Sequence, residues 1–150
     1  MDKTYTFTYR HTRPEELAAP DLQLVERARA AAAAAYAPYS GFRVGAAARL
    51  DDGEILTASN QESEVFPSGM CAERILLYWL QANAGGRRIG SLAIATGSGH
   101  RECYPCAACR QVIADTEKRQ GTPIRILMAG TTSVTELDSA RLLIPFRFEL

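Results

Sequence analysis

Cys71-Ala72-Glu73-Arg74-Ile75-Leu76-Leu77-Tyr78-Trp79-Leu80 opens one helix, and Pro105-Cys106-Ala107-Ala108-Cys109-Arg110-Gln111-Val112 leads into another. In the first segment Ala72, Ile75, Leu76, Trp79 and Leu80 recur at helical spacing, which predicts a helix over 71–84 that Gly85-Gly86 ends. The second segment predicts a helix over 107–118. The apolar run 91–96 reads as a strand, followed by a loop over 97–105. Residues 124–129 read as another buried strand and 134–137 as a last one. Helix and strand therefore alternate through this half of the chain, an order that predicts a mixed sheet covered by helices on both faces.

Upstream, Asp21 is placed to cap a helix over 22–36, with the alanine run of residues 30–35 in its interior and Pro38 stopping it. The runs 43–50 and 54–60 read as two strands, joined into a hairpin by Asp51-Asp52-Gly53. The strands then number five, in a three-layer α/β/α sandwich. Tyr5-Thr6-Phe7-Thr8-Tyr9 alternates aromatic and polar residues, so the extension over residues 1–20 is expected to add an edge strand. A chain of 150 residues without repeats or a linker is expected to be one domain over 1–150.

Seventeen Asp plus Glu balance seventeen Lys plus Arg, a formal net charge of zero. Nucleic acids and anionic membranes are bound through basic surfaces, so neither partner is expected. No apolar run approaches the roughly 20 residues of a membrane span. Residues 1–13 lack the apolar stretch of a signal peptide, and a cytoplasmic protein is the expectation. Of the four cysteines, Cys103, Cys106 and Cys109 crowd into seven residues. In a reducing compartment such clustering serves metal binding or redox chemistry more often than disulfide stapling.

Cys106 and Cys109, three apart at a helix start, can bring two sulfurs to one ion, and Cys71 opens the other helix. Facing helix N-termini stabilise thiolates, because the helix dipole favours negative charge there. Three thiolates leave the fourth position of a tetrahedral zinc free for water. Glu73, in the first helical turn, is then placed to take a proton from that water and pass it on. On the residues alone, a redox Cys-x-x-Cys pair and a closed four-cysteine structural site remain open, as does a solvated surface role for Glu73.

The chain resembles the small homotetrameric cytidine deaminases over about residues 22–148. The likeness includes Ala35-Tyr36-Ala37-Pro38-Tyr39-Ser40-Gly41-Phe42-Arg43-Val44-Gly45-Ala46-Ala47, Asn60-Gln61-Glu62, Cys71-Ala72-Glu73-Arg74 and Pro105-Cys106-Ala107-Ala108-Cys109-Arg110-Gln111-Val112. The resemblance implies one zinc per subunit on Cys71, Cys106 and Cys109, with Glu73 as proton shuttle. It leaves Cys103 as an ordinary thiol. It implies that Phe42 stacks on the pyrimidine, that Asn60 and Glu62 bind the ribose, and that backbone groups near Ala72 hold the base edge. Arg74 would offset the excess negative charge of three thiolates on one zinc. The implied reaction is hydrolysis at C4, with Glu73 protonating N3 and then the departing ammonia, in a homotetramer with shared active sites.

Ser63-Glu64-Val65-Phe66 departs from the family pattern, in which Asn, two small residues and an aromatic follow Glu62. In that family this loop reaches a neighbouring subunit's pocket, so Glu64 and Phe66 are expected there, together with Phe148 from the C-terminal segment. Glu64 is expected near the 5′ end of the nucleoside, disfavouring a 5′-phosphate. Tyr104 is expected to narrow the pocket. A deaminase of a modified cytosine nucleoside or nucleoside antibiotic, a nucleic-acid-editing deaminase, a non-catalytic zinc module and a thiol redox protein are the competing readings.

Overall fold

The computed structural model describes residues 1–97 and 101–150. In chain order it comprises β1 (Arg10–Thr12), α1 (Ala19–Ala31), β2 (Val44–Leu50), β3 (Ile55–Ser59), α2 (Ala72–Asn83), β4 (Ile89–Thr96), α3 (Ala107–Gln120), β5 (Arg125–Ala129) and β6 (Val134–Leu137). The strands form one mixed sheet in the order β1-β6-β5-β4-β2-β3. Only β4 and β5 run parallel, because α3 carries the chain back between them; the hairpin-linked and edge pairs are antiparallel.

Strand alternation sorts the side chains into two layers. Ala46, Ala48, Leu92, Ile94, Ile126 and Met128 join Leu76, Leu77 and Leu80 of α2 and Ile113 of α3 in one core. Their neighbours Ala47, Ala93, Ala95, Leu127 and Ala129 turn the other way, onto Leu24, Val25 and Ala28 of α1. The face toward α1 is mostly alanine, so that helix lies low on the sheet. Gly45 marks the closest approach: a Cβ built there would sit 1.9 Å from the carbonyl oxygen of Ala28 and 2.7 Å from the nitrogen of Ala32. Both are backbone atoms and cannot swing aside. Gly45→Ala is therefore expected to cost about 2–3 kcal/mol by overpacking and to lower Tm by roughly 5–10 °C in a thermal melt followed by circular dichroism. An unchanged Tm would mean that α1 does not sit this close.

The three-layer expectation holds, and the sheet has six strands, the sixth supplied by the N-terminal extension. That added strand lies over Arg10–Thr12, not over residues 5–9. Its partner β6 runs only from Val134 to Leu137, which pairs Thr12 with Val134 and Arg10 with Glu136 and carries residues 1–8 past the end of that strand. Arg10 adds a bidentate contact to Asp138, at 3.1 and 2.5 Å. The first helix starts earlier than expected, with Ala18 at its N-cap. Asp21 lies inside the first turn, where its carboxylate accepts from the Arg125 guanidinium at 2.9 and 2.7 Å instead of capping. The same helix stops at Ala31 and passes through a 3₁₀ turn over Ala32–Ala34. The chain beyond is drawn away by a bridge in which Tyr36 donates to Asn60 and accepts from Glu62. Elsewhere the bounds move by a few residues at most. Residues 98–100 of the expected loop lie outside the described residues.

Candidate metal centre and substrate cleft

Cys71 is the N-cap of α2 and Cys106 the N-cap of α3, each with extended backbone and neither sulfur spent on capping. Helix α3 therefore points Cys106 and, one turn on, Cys109 toward the start of α2. The Sγ atoms of Cys71, Cys106 and Cys109 all lie within 4.8 Å of one another, and Cys71 and Cys106 are 3.9 Å apart. Zinc–sulfur bonds of about 2.3 Å in a tetrahedral site place ligand sulfurs about 3.8 Å apart, so this donor set fits a zinc ion. Cys109 is fully buried, Cys71 half-buried and Cys106 exposed, a gradient that leaves the cluster open on one side. All four thiols are free, and Cys103 stands outside the cluster.

The electrostatics separate these thiols. A hydrogen bond from Cys109, aided by the Arg74 guanidinium, pulls the Cys71 thiol down to about 5. That same Cys71 partner, together with burial, holds Cys109 well above the ordinary thiol range. Without a cation, one of the pair ionises and the other keeps its proton. Burial pushes Cys103 up to about 12, which leaves it an inert thiol at neutral pH. Arg74 donates from Nη2 to the Cys71 sulfur at 3.6 Å, and its buried Nε has no partner among the described residues. Glu73 is only 3% exposed. Burial raises its carboxyl to about 6, reinforced by the charge of Cys71.

Cys71 and Arg74 also line a cleft of about 690 Å³, whose walls include Phe42, Asn60, Glu62, Glu64 and Phe66. Phe42 presents an exposed ring to it. Asn60 and Glu62 follow the end of β3 instead of lying within it, and both have structural partners. The Asn60 side chain accepts from the Val44 N–H at 2.7 Å and donates to the Phe42 carbonyl at 2.9 Å. It thereby clamps the Phe42 loop. The Glu62 carboxylate accepts from the N–H groups of Tyr39, at 2.8 Å, and Ser40, at 3.2 Å, and from the Ser40 hydroxyl. These bonds, the Ser40 hydroxyl first, hold its carboxyl below the usual range.

Residues 19–121 match the model of the cytidine and deoxycytidylate deaminase zinc-binding region. The chain belongs to this family. It is 44% identical to the cytidine deaminase of Mycobacterium tuberculosis over 86 residues, which span 57% of this chain and 62% of that protein. Among solved structures, the cytidine deaminase of Burkholderia pseudomallei superposes with a TM-score of 0.70 at 34% identity, covering 84% of this chain and 97% of that one. The M. tuberculosis enzyme superposes with a TM-score of 0.69 at 34% identity over 85% and 96% of the two chains.

In this chain Cys71, Cys106 and Cys109 come together with Ala72, Glu73 and Arg74, as do Phe42, Asn60 and Glu62. Ala72 is fully buried in the first turn of α2. Glu64 and Phe66 line the chain's own cleft. Phe148 does not line it; its carbonyl accepts from Gln111 and its ring is exposed. The expectation that Tyr104 narrows the pocket is not met, since its hydroxyl lies 3.4 Å from Thr135 Oγ1 on β6 and its ring is not part of the cleft wall. Sequence reasoning missed Ser40, which bonds Glu62 and also accepts from the Phe42 N–H at 3.0 Å. Its only signal was its place in a Tyr-Ser-Gly turn, where a hydroxyl commonly bonds nearby backbone. Replacing Asn60 by Ala removes both bonds to the Phe42 loop. The expected result is a KM raised about tenfold, with zinc content by elemental analysis unchanged.

Proposed function

We propose that this protein hydrolyses the exocyclic amine of cytidine or 2′-deoxycytidine, giving uridine or 2′-deoxyuridine and ammonia. The observation that carries the reading is a buried carboxyl, Glu73, two residues after the first thiol of a cluster of zinc geometry that opens onto a cleft of nucleoside size. Cys71, Cys106 and Cys109 would hold a zinc ion, which when bound would supply a water acidified for attack.

The remaining work falls to side chains and backbone. Burial poises Glu73 near neutrality, so it accepts the first water proton and delivers it to N3 of the base, then takes the proton of the new C4 hydroxyl and passes it to the amine as the C–N bond breaks. Phe42 stacks on the pyrimidine, Asn60 and Glu62 hold the ribose, and the backbone near Ala72 holds the base edge. Arg74, donating to the Cys71 sulfur, draws off part of the charge that three thiolates place on the metal.

Two carboxylates, Glu62 and Glu64, line the cleft, and its one arginine already serves Cys71. That balance favours a neutral nucleoside over a 5′-nucleotide. We assign Glu64 to the 5′ end of the substrate, where it also leaves room for a modified cytosine nucleoside. In a homotetramer with shared sites, Phe66 and Phe148 would complete neighbouring pockets; their exposure, 90% and 68%, supports such a role. Four free thiols accord with a cytoplasmic setting, and no described helix is long and apolar enough to cross a membrane.

A spectrophotometric assay of cytidine, deoxycytidine and cytidine monophosphate tests the reading. The nucleosides are expected to turn over, with kcat/KM for the monophosphate lower by about a hundredfold. Glu64→Ala should recover about tenfold of that deficit. Inactivity on all three compounds by zinc-loaded protein would overturn the reading, and equal activity on the monophosphate would overturn the role of Glu64.

A further inference from the structure

We propose that residues 4–10 form an intermolecular strand through which two copies of this chain pair edge to edge, antiparallel, about Phe7. The segment lies outside the matched family region, which begins at residue 19. It continues β1 past the end of β6, and residues 1–8 take part in no strand pairing among the described residues. Its aromatic rings are nonetheless arranged: Tyr5 to Phe7 and Phe7 to Tyr9 have centroid separations of 6.2 and 6.1 Å, one stripe on one face. All three rings remain about half exposed, at 52%, 47% and 56%. An unpaired extended backbone bearing such a stripe is a template for another strand.

The sequence of the segment says which strand fits. Tyr5-Thr6-Phe7-Thr8-Tyr9 reads the same in both directions. A two-fold contact needs a patch that complements itself, and an antiparallel strand with its dyad on Phe7 meets that need residue by residue. Tyr5 falls opposite Tyr9 of the second copy, Thr6 opposite Thr8, and Phe7 opposite itself. Aromatic pairs and Thr–Thr pairs are among the favourable cross-strand neighbours. The ends also match. Asp2 lies diagonal to Arg10 of the other copy on the threonine face, and Lys3 lies diagonal to the ring of Tyr9 on the aromatic face. Because β1 belongs to the sheet, the pairing would fuse two six-stranded sheets into one.

The size of the contact sets its strength. Each ring retains on the order of 100 Å² of free surface, so six rings with the flanking threonines bury about 1,000 Å², the low end for a specific interface. The pairing should therefore be reversible and dilution-sensitive.

Position 7 faces its own copy across the dyad, which gives the test an internal control. Mass is measured by light scattering over a dilution series for the full chain, for Phe7→Glu, for Phe7→Lys, and for an equal mixture of the two variants. The full chain at high concentration is expected to have a larger mass than either variant, the mixture is expected to recover it, and far-UV spectra are expected to coincide. Equal masses for the full chain and both variants would overturn the proposal. So would a mixture that stays at the variant mass, since opposite charges at a residue facing itself must pair.

Discussion

Glu73→Gln is expected to lower kcat by about 10²–10⁴ while zinc content stays at one per chain and Tm does not fall. The substitution keeps the shape of a side chain that is only 3% exposed, so it opens no cavity in the first turn of α2. On the proposed mechanism it removes the group that carries protons from water to N3 and to the leaving amine. The amide neither accepts nor releases a proton at neutral pH. The stability side of the prediction follows from burial. The folded protein holds the Glu73 carboxyl at about 6, above its ordinary value of 4.5, so ionising it in this environment opposes folding at pH 7. A neutral isostere relieves that opposition. Activity and stability should thus move independently, which a merely structural glutamate would not allow. Initial rates, elemental analysis and a thermal melt on one preparation check all three quantities. A variant retaining more than a tenth of the parent kcat would remove Glu73 from the proton path.

How much of this was legible in the sequence differs from residue to residue. The helix opened by Cys71 was readable because its apolar positions recur at helical spacing and Gly85-Gly86 ends it, both local signals. The five central strands were readable because their alternation or burial is strong. The start of α1 was not, because Asp21 is a good cap in isolation and only the distant Arg125 draws its carboxylate into an ion pair. The edge strand was misplaced for a related reason. Alternation in residues 5–9 records β tendency, while pairing depends on where β6 ends. At the site, the residue types suggested a metal, but no spacing rule states that sulfurs 35 residues apart lie 3.9 Å from one another. The clamp of Asn60 on the Phe42 loop and the bond of Ser40 to Glu62 were equally hidden, since both join segments about 20 residues apart. Gly45 showed only as a glycine within a strand; its reason is the α1 carbonyl above it.

Cys109→Ser should abolish zinc binding and leave no measurable deamination, whereas Cys103→Ser should keep both. The contrast rests on geometry and on proton affinity together. Cys109 is fully buried, one turn into α3, with its sulfur in the cluster. Its proton is held tightly by the neighbouring Cys71 and by burial, so without a metal Cys109 is not a thiolate. A bound dication reverses that order by making all three thiolates favourable at once, so each ligand contributes to affinity well beyond an ordinary contact. A serine oxygen resists deprotonation far more strongly than a thiol and leaves the site with two good ligands. Cys103 is equally sequestered, yet burial keeps it protonated and its sulfur is outside the group, so its loss should be felt as packing alone. Zinc at a thousandfold excess over its Kd stabilises the folded chain by about 4 kcal/mol, so losing it should lower Tm by roughly 10 °C. Treating the parent with a chelator should reproduce both the Tm drop and the loss of activity, and added zinc should restore the parent but not the Cys109 variant. A Cys109→Ser protein that still held one zinc per chain and turned over cytidine would show that Cys103 can stand in as a ligand, and the three-sulfur assignment would fail.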